Sequence, residues 1–243
     1  MPRDLPDWDA LTAQSTVHEV TDIGELAVRL GSIVSHDRRG DVIFIDSFED
    51  GLNSWSVGFS GAGGVVDLTT DWKKNGLFAV RLIGGSDVLR LANIVNSRAF
   101  PVLSRFGLEM SFRIVTTIES LNFFILLYNG TSLITGQIRW RDAEKDLQYL
   151  SSSGAFVTFA TSVDLTSTQN MVHTAKIVID VVNENYARFI LNEVEYSLED
   201  IGLNIVVDSG DARLTTLVRL NSRAGANDEV NLDDAIITQN EPV

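Results

Sequence analysis

The sequence predicts an all-β protein: a two-sheet antiparallel sandwich preceded by an extended N-terminal arm with one short helix. Three observations carry this reading. From residue 41 onward, apolar and polar residues alternate with the period of two that marks half-buried strands. Turn-forming clusters separate the runs at "SGAGG" (60–64), "IGGSD" (83–87), "YNGTS" (128–132), "SSSGA" (151–155), "VNENY" (182–186) and "SRAGAND" (222–228). Helical crossovers between the runs are absent, which argues against a parallel sheet.

Taken in order, residues 1–40 form a unit apart from residues 41–243. "MPRDLPDWDALTAQSTVHEV" has two prolines and little periodicity, and reads as an extended arm. In "TDIGELAVRLGS", Asp22 and Glu25 make a capping pattern. Ile23, Leu26, Ala27 and Leu30 then share one helical face, and Gly31 is placed to end the helix. Such a helix is too short to stand alone and needs a surface to dock on.

The strands follow. "FGLEMSFRIV" (106–115) puts Phe106, Leu108, Met110, Phe112 and Ile114 on one face. "LNFFILLY" (121–128) is apolar on both faces, as a central strand is. "ITGQIRW" (134–140) alternates, and "HTAKIVIDVV" (173–182) lines up Ala175, Ile177, Ile179 and Val181. "YARFILNEVEYSL" (186–198) reads as two strands joined at Asn192-Glu193. "RLTTLVRL" (213–220) and "EVNLDDAII" (229–237) complete the series.

Composition narrows the function classes. The chain has 243 residues, 44% of them hydrophobic, enough for a large core. A formal net charge of −14 repels phosphate backbones and anionic lipid, so neither nucleic acid nor membrane is an expected partner. Without cysteine there is no disulfide framework, thiolate metal site or cysteine nucleophile. The N-terminus lacks the apolar segment of a secretory signal, and no run spans a bilayer, so synthesis in the cytoplasm is expected.

Four segments in order carry a resemblance: "FEDGLNSW" at the first strand, "KNGLFAVRLIGG" (74–85), "KIVIDVVNENYARFILNEVEY" (176–196) and "LDDAII" at the last strand. Together, over about residues 41–240, they resemble the concanavalin A-like and laminin-G-like group and carbohydrate-binding jelly rolls. That resemblance implies a jelly-roll sandwich whose terminal strands are neighbours. The prefix "ELAVRLGSIVSHDRRGDVIFIDSFEDG" resembles the opening of virion proteins of tailed bacteriophages, which implies a location in the virion.

If the terminal strands pair, Asp46, Glu49, Asp50, Asp233 and Asp234 come close together. Clustered carboxylates repel unless something compensates them. Related jelly rolls hold a structural calcium here, and the resemblance implies the same ion; the alternative is ordinary solvated acids at strand ends and turns. No other cofactor is expected.

Catalytic patterns are sparse. His18, His36 and His173 have no metal-ligand spacing. Sandwich glycosidases of the resembled type set their two carboxylates on one strand as E-x-D-x-x-E, and none is present. Glu109 is a lone acid on the outer face of its strand. A nucleophile elbow is absent as well. The expectation is therefore a protein that is not an enzyme.

Two functional readings remain. In the first, the protein is a structural virion component, a capsid decoration protein or a head or tail appendage. Its arm would then grip other subunits or copies of itself through Leu5, Trp8, Leu11, Val17, Val20, Ile23 and Leu26, and a decoration role suits a trimer. The alternative is a lectin-like module that binds glycans, with Trp72, in the polar loop "TTDWKKNG", and Tyr149 as stacking rings. Trp140 and Trp55 read as core.

Overall fold

The computed structural model of the chain describes residues 36–87, 89–99, 102–165 and 171–242. The expected helix and all seven assembly residues, Leu5 to Leu26, lie outside the described residues, and only 36–40 of the expected arm lies within them.

Sixteen strands are described: β1 (Asp41–Asp46), β2 (Ser56–Phe59), β3 (Val65–Thr69), β4 (Ala79–Ile83), β5 (Leu91–Ala99), β6 (Arg105–Ile114), β7 (Ser120–Tyr128), β8 (Ser132–Arg141), β9 (Asp146–Leu150), β10 (Phe156–Ala160), β11 (His173–Asp180), β12 (Asn185–Leu191), β13 (Val194–Ser197), β14 (Asn204–Val207), β15 (Arg213–Asn221) and β16 (Glu229–Gln239). They form two antiparallel sheets. Sheet A runs β13-β12-β11-β6-β16-β4-β3, with β1 also on β16. Sheet B runs β10-β9-β8-β7-β15-β5-β2, with β14 also on β8. The terminal strands β1 and β16 do pair, with Asp46 opposite Ala235.

The core lies between the sheets and follows from the alternation. Phe106, Leu108, Met110 and Phe112 of β6 face Leu121, Phe123, Ile125 and Leu127 of β7 across it, all at most 2% exposed. Trp140 fills one end, its indole Nε1 donating to the Val163 carbonyl at 2.8 Å. Tyr186 reaches from sheet A to sheet B through this core. Its hydroxyl donates toward the Leu150 and Gln137 carbonyls (2.8 and 3.1 Å) and accepts from Gln137 N–H at 3.0 Å.

Part of the outer face of sheet A, over β6, β11 and β12, is covered by the chain itself. Residues 36–40 cross it ahead of β1, and Asn240–Pro242 cross it after β16. Glu109 accepts the His36 N–H at 2.6 Å and the Asp37 N–H at 3.2 Å. Lys176, whose side chain is 0% exposed, pairs with Asp37 at 3.1 Å and Glu241 at 2.7 Å. Arg188 also pairs with Glu241 and donates to the Pro242 carbonyl. Burial raises the Glu109 pKa. Burial pushes Asp37 up too, but bonds from Arg39 and Lys176 and the Lys176 charge outweigh it and hold Asp37 at about 2.

Candidate functional site

The acids at the chain's two ends turn out to bind backbone. In its pairing with β6, β16 has a bulge at Asp234, which sits at φ +48°, a left-handed conformation that Asp tolerates better than most residues. On its other side, β16 leaves β4 after Leu232 and takes up β1 from Ala235. Loop 70–78 packs at this change of neighbour, and carboxylates satisfy its polar groups. Asp233 accepts the Lys74, Asn75 and Asp234 N–H groups at 2.7, 3.1 and 2.8 Å. Asp234 takes the Asn75 amide and the Lys74 ammonium. Glu49 accepts from Leu77 and Phe78. The Gly76 backbone approaches Glu49 so closely that an added Cβ would lie 2.0 Å from its Oε1.

Asp46, by contrast, serves its own turn, accepting the Phe48 N–H and the Trp55 indole N–H. Asp50 is exposed. Among the described residues no group of three or more His, Asp or Glu side chains converges as metal ligands.

Burial, and then the Asp234 charge, push the Asp233 carboxyl up to about 6. The folded protein therefore takes up this proton more readily than the unfolded chain. The resulting stability is complete below the ordinary carboxylate range near 4 and is lost as pH rises through about 6. Asp234→Asn removes the second cause, so its stability should fall less steeply over that window, as read from urea midpoints at both ends. An unchanged slope would show that Asp234 does not act on Asp233.

Neither ring expected to stack on sugar is presented to solvent. Trp72 is 9% exposed. Tyr149 packs inward against Phe159 and Tyr186, because alternation along β9 sends Leu147 and Tyr149 to the core.

The outer face of sheet B carries the polar array. Ile138 and Trp140 of β8 point into the core, so Gln137 and Arg139 point outward. The same logic turns Asn122 and Phe124 of β7, and Leu217 and Arg219 of β15, outward. Register aligns Asn93, Arg219, Asn122, Arg139 and Gln148 in one row across five strands. Gln137 donates to Asn122 Oδ1 at 3.1 Å, and Arg139 Nε donates to Gln148 Oε1 at 2.8 Å. Rings back the cations: the Arg139 guanidinium lies 3.5 Å from the Phe156 centroid, and that of Arg219 lies 5.1 Å from Phe124. Asp146, beside this row, pairs with Arg141, whose hydrogen bond holds its pKa below the usual range.

Sequence reasoning overlooked this array. Its signal is the polar set interleaved with the core residues of "QIRWR" and "TTLVRL".

No protein-family model and no curated protein matches the sequence. Solved structures match in fold. An endo-β-1,4-glucuronan lyase from the fungus Trichoderma reesei aligns with a TM-score of 0.55 at 13% identity, over 82% of this chain and 96% of its own. A cellulose-induced protein aligns at 0.54 and 17%, over 80% and 96%. A carbohydrate esterase from Shiga toxin-encoding bacteriophage phi24B aligns at 0.54 and 14%, over 83% and 100%. At such identities the likeness is one of fold, and the fold is the concanavalin A-like jelly-roll sandwich.

The expectation of a protein that is not an enzyme is overturned here. The same sandwich serves a lyase and an esterase, so a missing E-x-D-x-x-E pattern excludes one glycosidase arrangement and not glycan chemistry at large. Of these neighbours, the bacteriophage protein is described as a carbohydrate esterase. No helix among the described residues is long and apolar enough to cross a membrane.

Proposed function

We propose that the protein recognises carbohydrate chains, and that it does so on the outer face of sheet B. One observation carries this reading. Five strands hold a continuous row of amide and guanidinium side chains on sheet B, in which Asn122 and Gln148 are buried while Arg219 and Arg139, set beside aromatic rings, are half-buried; on sheet A, residues 36–40 and 240–242 cover the face of β6, β11 and β12. Planar polar groups in fixed register suit the hydroxyl edges of an extended sugar chain, and rings beside them suit its apolar faces. The sandwich fold, shared with a glucuronan lyase and a carbohydrate esterase, supports the same ligand class.

The test is affinity electrophoresis of the full chain in gels cast with a panel of soluble plant, fungal and bacterial polysaccharides, with product release measured in parallel. At least one polysaccharide should retard the protein. Asn122→Ala, which removes the centre of the row and the partner of Gln137, should lower that retention about tenfold or more while the fold persists. Unchanged retention in Asn122→Ala would place the glycan elsewhere.

A further inference from the structure

The row on sheet B holds two cations that form no ion pair among the described residues. Arg39, Arg81, Arg90, Arg105, Arg141, Arg188 and Arg223 all pair with carboxylates. Among the described residues Arg139 and Arg219 pair with no carboxylate although both are half-buried, a state they share with Arg98, Arg113 and Arg213; of these five, Arg139 and Arg219 stand in the one register row through Asn122. Arg219 Nε is buried and has no hydrogen-bond acceptor among the described residues. Arg139 Nε is held by Gln148, which leaves the outer edge of its guanidinium to a ligand. Burial pushes both guanidinium pKa values down, in Arg219 with no opposing charge. A desolvated cation without a partner is costly, and an anion brought to it recovers that cost.

Geometry adds a spacing. Arg219 and Arg139 both stand opposite Asn122, one on each flanking strand, so their Cα atoms are about 10 Å apart, two inter-strand spacings. Phe124 and Phe156 limit the swing of the two forks.

Resting on the glycan reading above, we propose that the chain recognised on sheet B is an acidic one, whose carboxylate or sulfate groups are bound by the forks of Arg219 and Arg139 on either side of Asn122. Carboxylated and sulfated sugars share this chemistry, since each offers a pair of anionic oxygens that a guanidinium fork can bridge.

Calorimetric titration of the full chain tests this with three probes: a polyglucuronate, a sulfated polysaccharide and a neutral β-glucan. The acidic probes should bind and the neutral one should bind at least about tenfold more weakly. The relative strength of the two acidic arms identifies the anion. Arg219→Met and Arg139→Gln should each weaken the acidic probe about tenfold or more, and Arg219→Lys should recover only part, because the charge remains without the fork. Should Arg219→Met fail to fold, Arg219→Lys and Arg139→Gln still decide the matter. If the neutral glucan binds as well as the acidic chains and the arginine variants bind like the parent, the acidic assignment is overturned and the glycan reading stands. If none of the three probes binds, and no polysaccharide in the electrophoresis panel does, both are overturned.

Discussion

Lys176→Met should destabilise the protein by about 3 kcal/mol, the low end of the cost of removing one partner from a buried ion pair. The ammonium is fully buried and touches Asp37, Glu241 and the carbonyls of Asp37 and Arg39. Methionine fills the same volume but leaves two carboxylates short of a cation. The loss stays near the low end because each acid keeps a second partner, Arg188 for Glu241 and Arg39 for Asp37. Chemical denaturation at neutral pH measures it, and a loss under about 1 kcal/mol would mean that the cluster does not fasten residues 36–40 and 240–242 to sheet A.

The same substitution has a pH signature. Asp37 is held at about 2 in part by Lys176, so its contribution is complete above the usual carboxylate range and is lost as pH falls through about 2. Without Lys176 the Asp37 pKa rises toward its ordinary value, and acid unfolding should begin at a higher pH. The double variant Lys176→Met, Asp37→Asn should recover part of both effects.

How much of this was legible in the sequence depends on the strand. β6 and β7 declare themselves because their inward residues are large and apolar without a break, and β11, β12 and β16 because theirs are apolar on either side of a bulge or an alanine. β5 does not, since Asn96 and Arg98 continue on the side begun by Ala92 and Ile94, where Asn96 bonds the Ser54 carbonyl and Arg98 lies over Phe44. β2 and β14 are short, and their side chains are largely exposed. The pairing of the first and last strands was expected from the resemblance to jelly rolls whose terminal strands are neighbours, and it is present. The role of the acids at both ends was not legible, because loop 70–78 supplies the N–H groups they accept, and nothing local marks a loop as a neighbour of a strand about 160 residues away.

The candidate site was hidden for a different reason. Attention to exposed aromatics favours Trp72 and Tyr149, which the fold buries or turns inward. Arg139 and Arg219 sit in strands whose apolar halves dominate the pattern. Only cross-strand register, a long-range property, sets them on either side of Asn122.

Tyr186→Phe should cost about 1–3 kcal/mol, the range for leaving a buried backbone group unpaired. The reason lies in β8. Its outer neighbour is β14 from Ser132 to Thr135 and β9 from Ile138 to Arg141. Gln137 falls in the gap, and its N–H and carbonyl find the Tyr186 hydroxyl instead of a strand. Phenylalanine keeps the packing of a fully buried ring and deletes only the hydroxyl, so the loss isolates the hydrogen bonds from the cavity cost of a larger truncation. Gln137 also points its side chain onto the outer face of sheet B, where it donates to Asn122 between the two arginines. The backbone tie from the core therefore helps to hold the centre of the row. In Tyr186→Phe, amide exchange at Gln137 should accelerate more than at core positions of β7, and glycan affinity should fall with it. Equal acceleration across both strands would mean that the hydroxyl stabilises the sandwich as a whole and does not position the face.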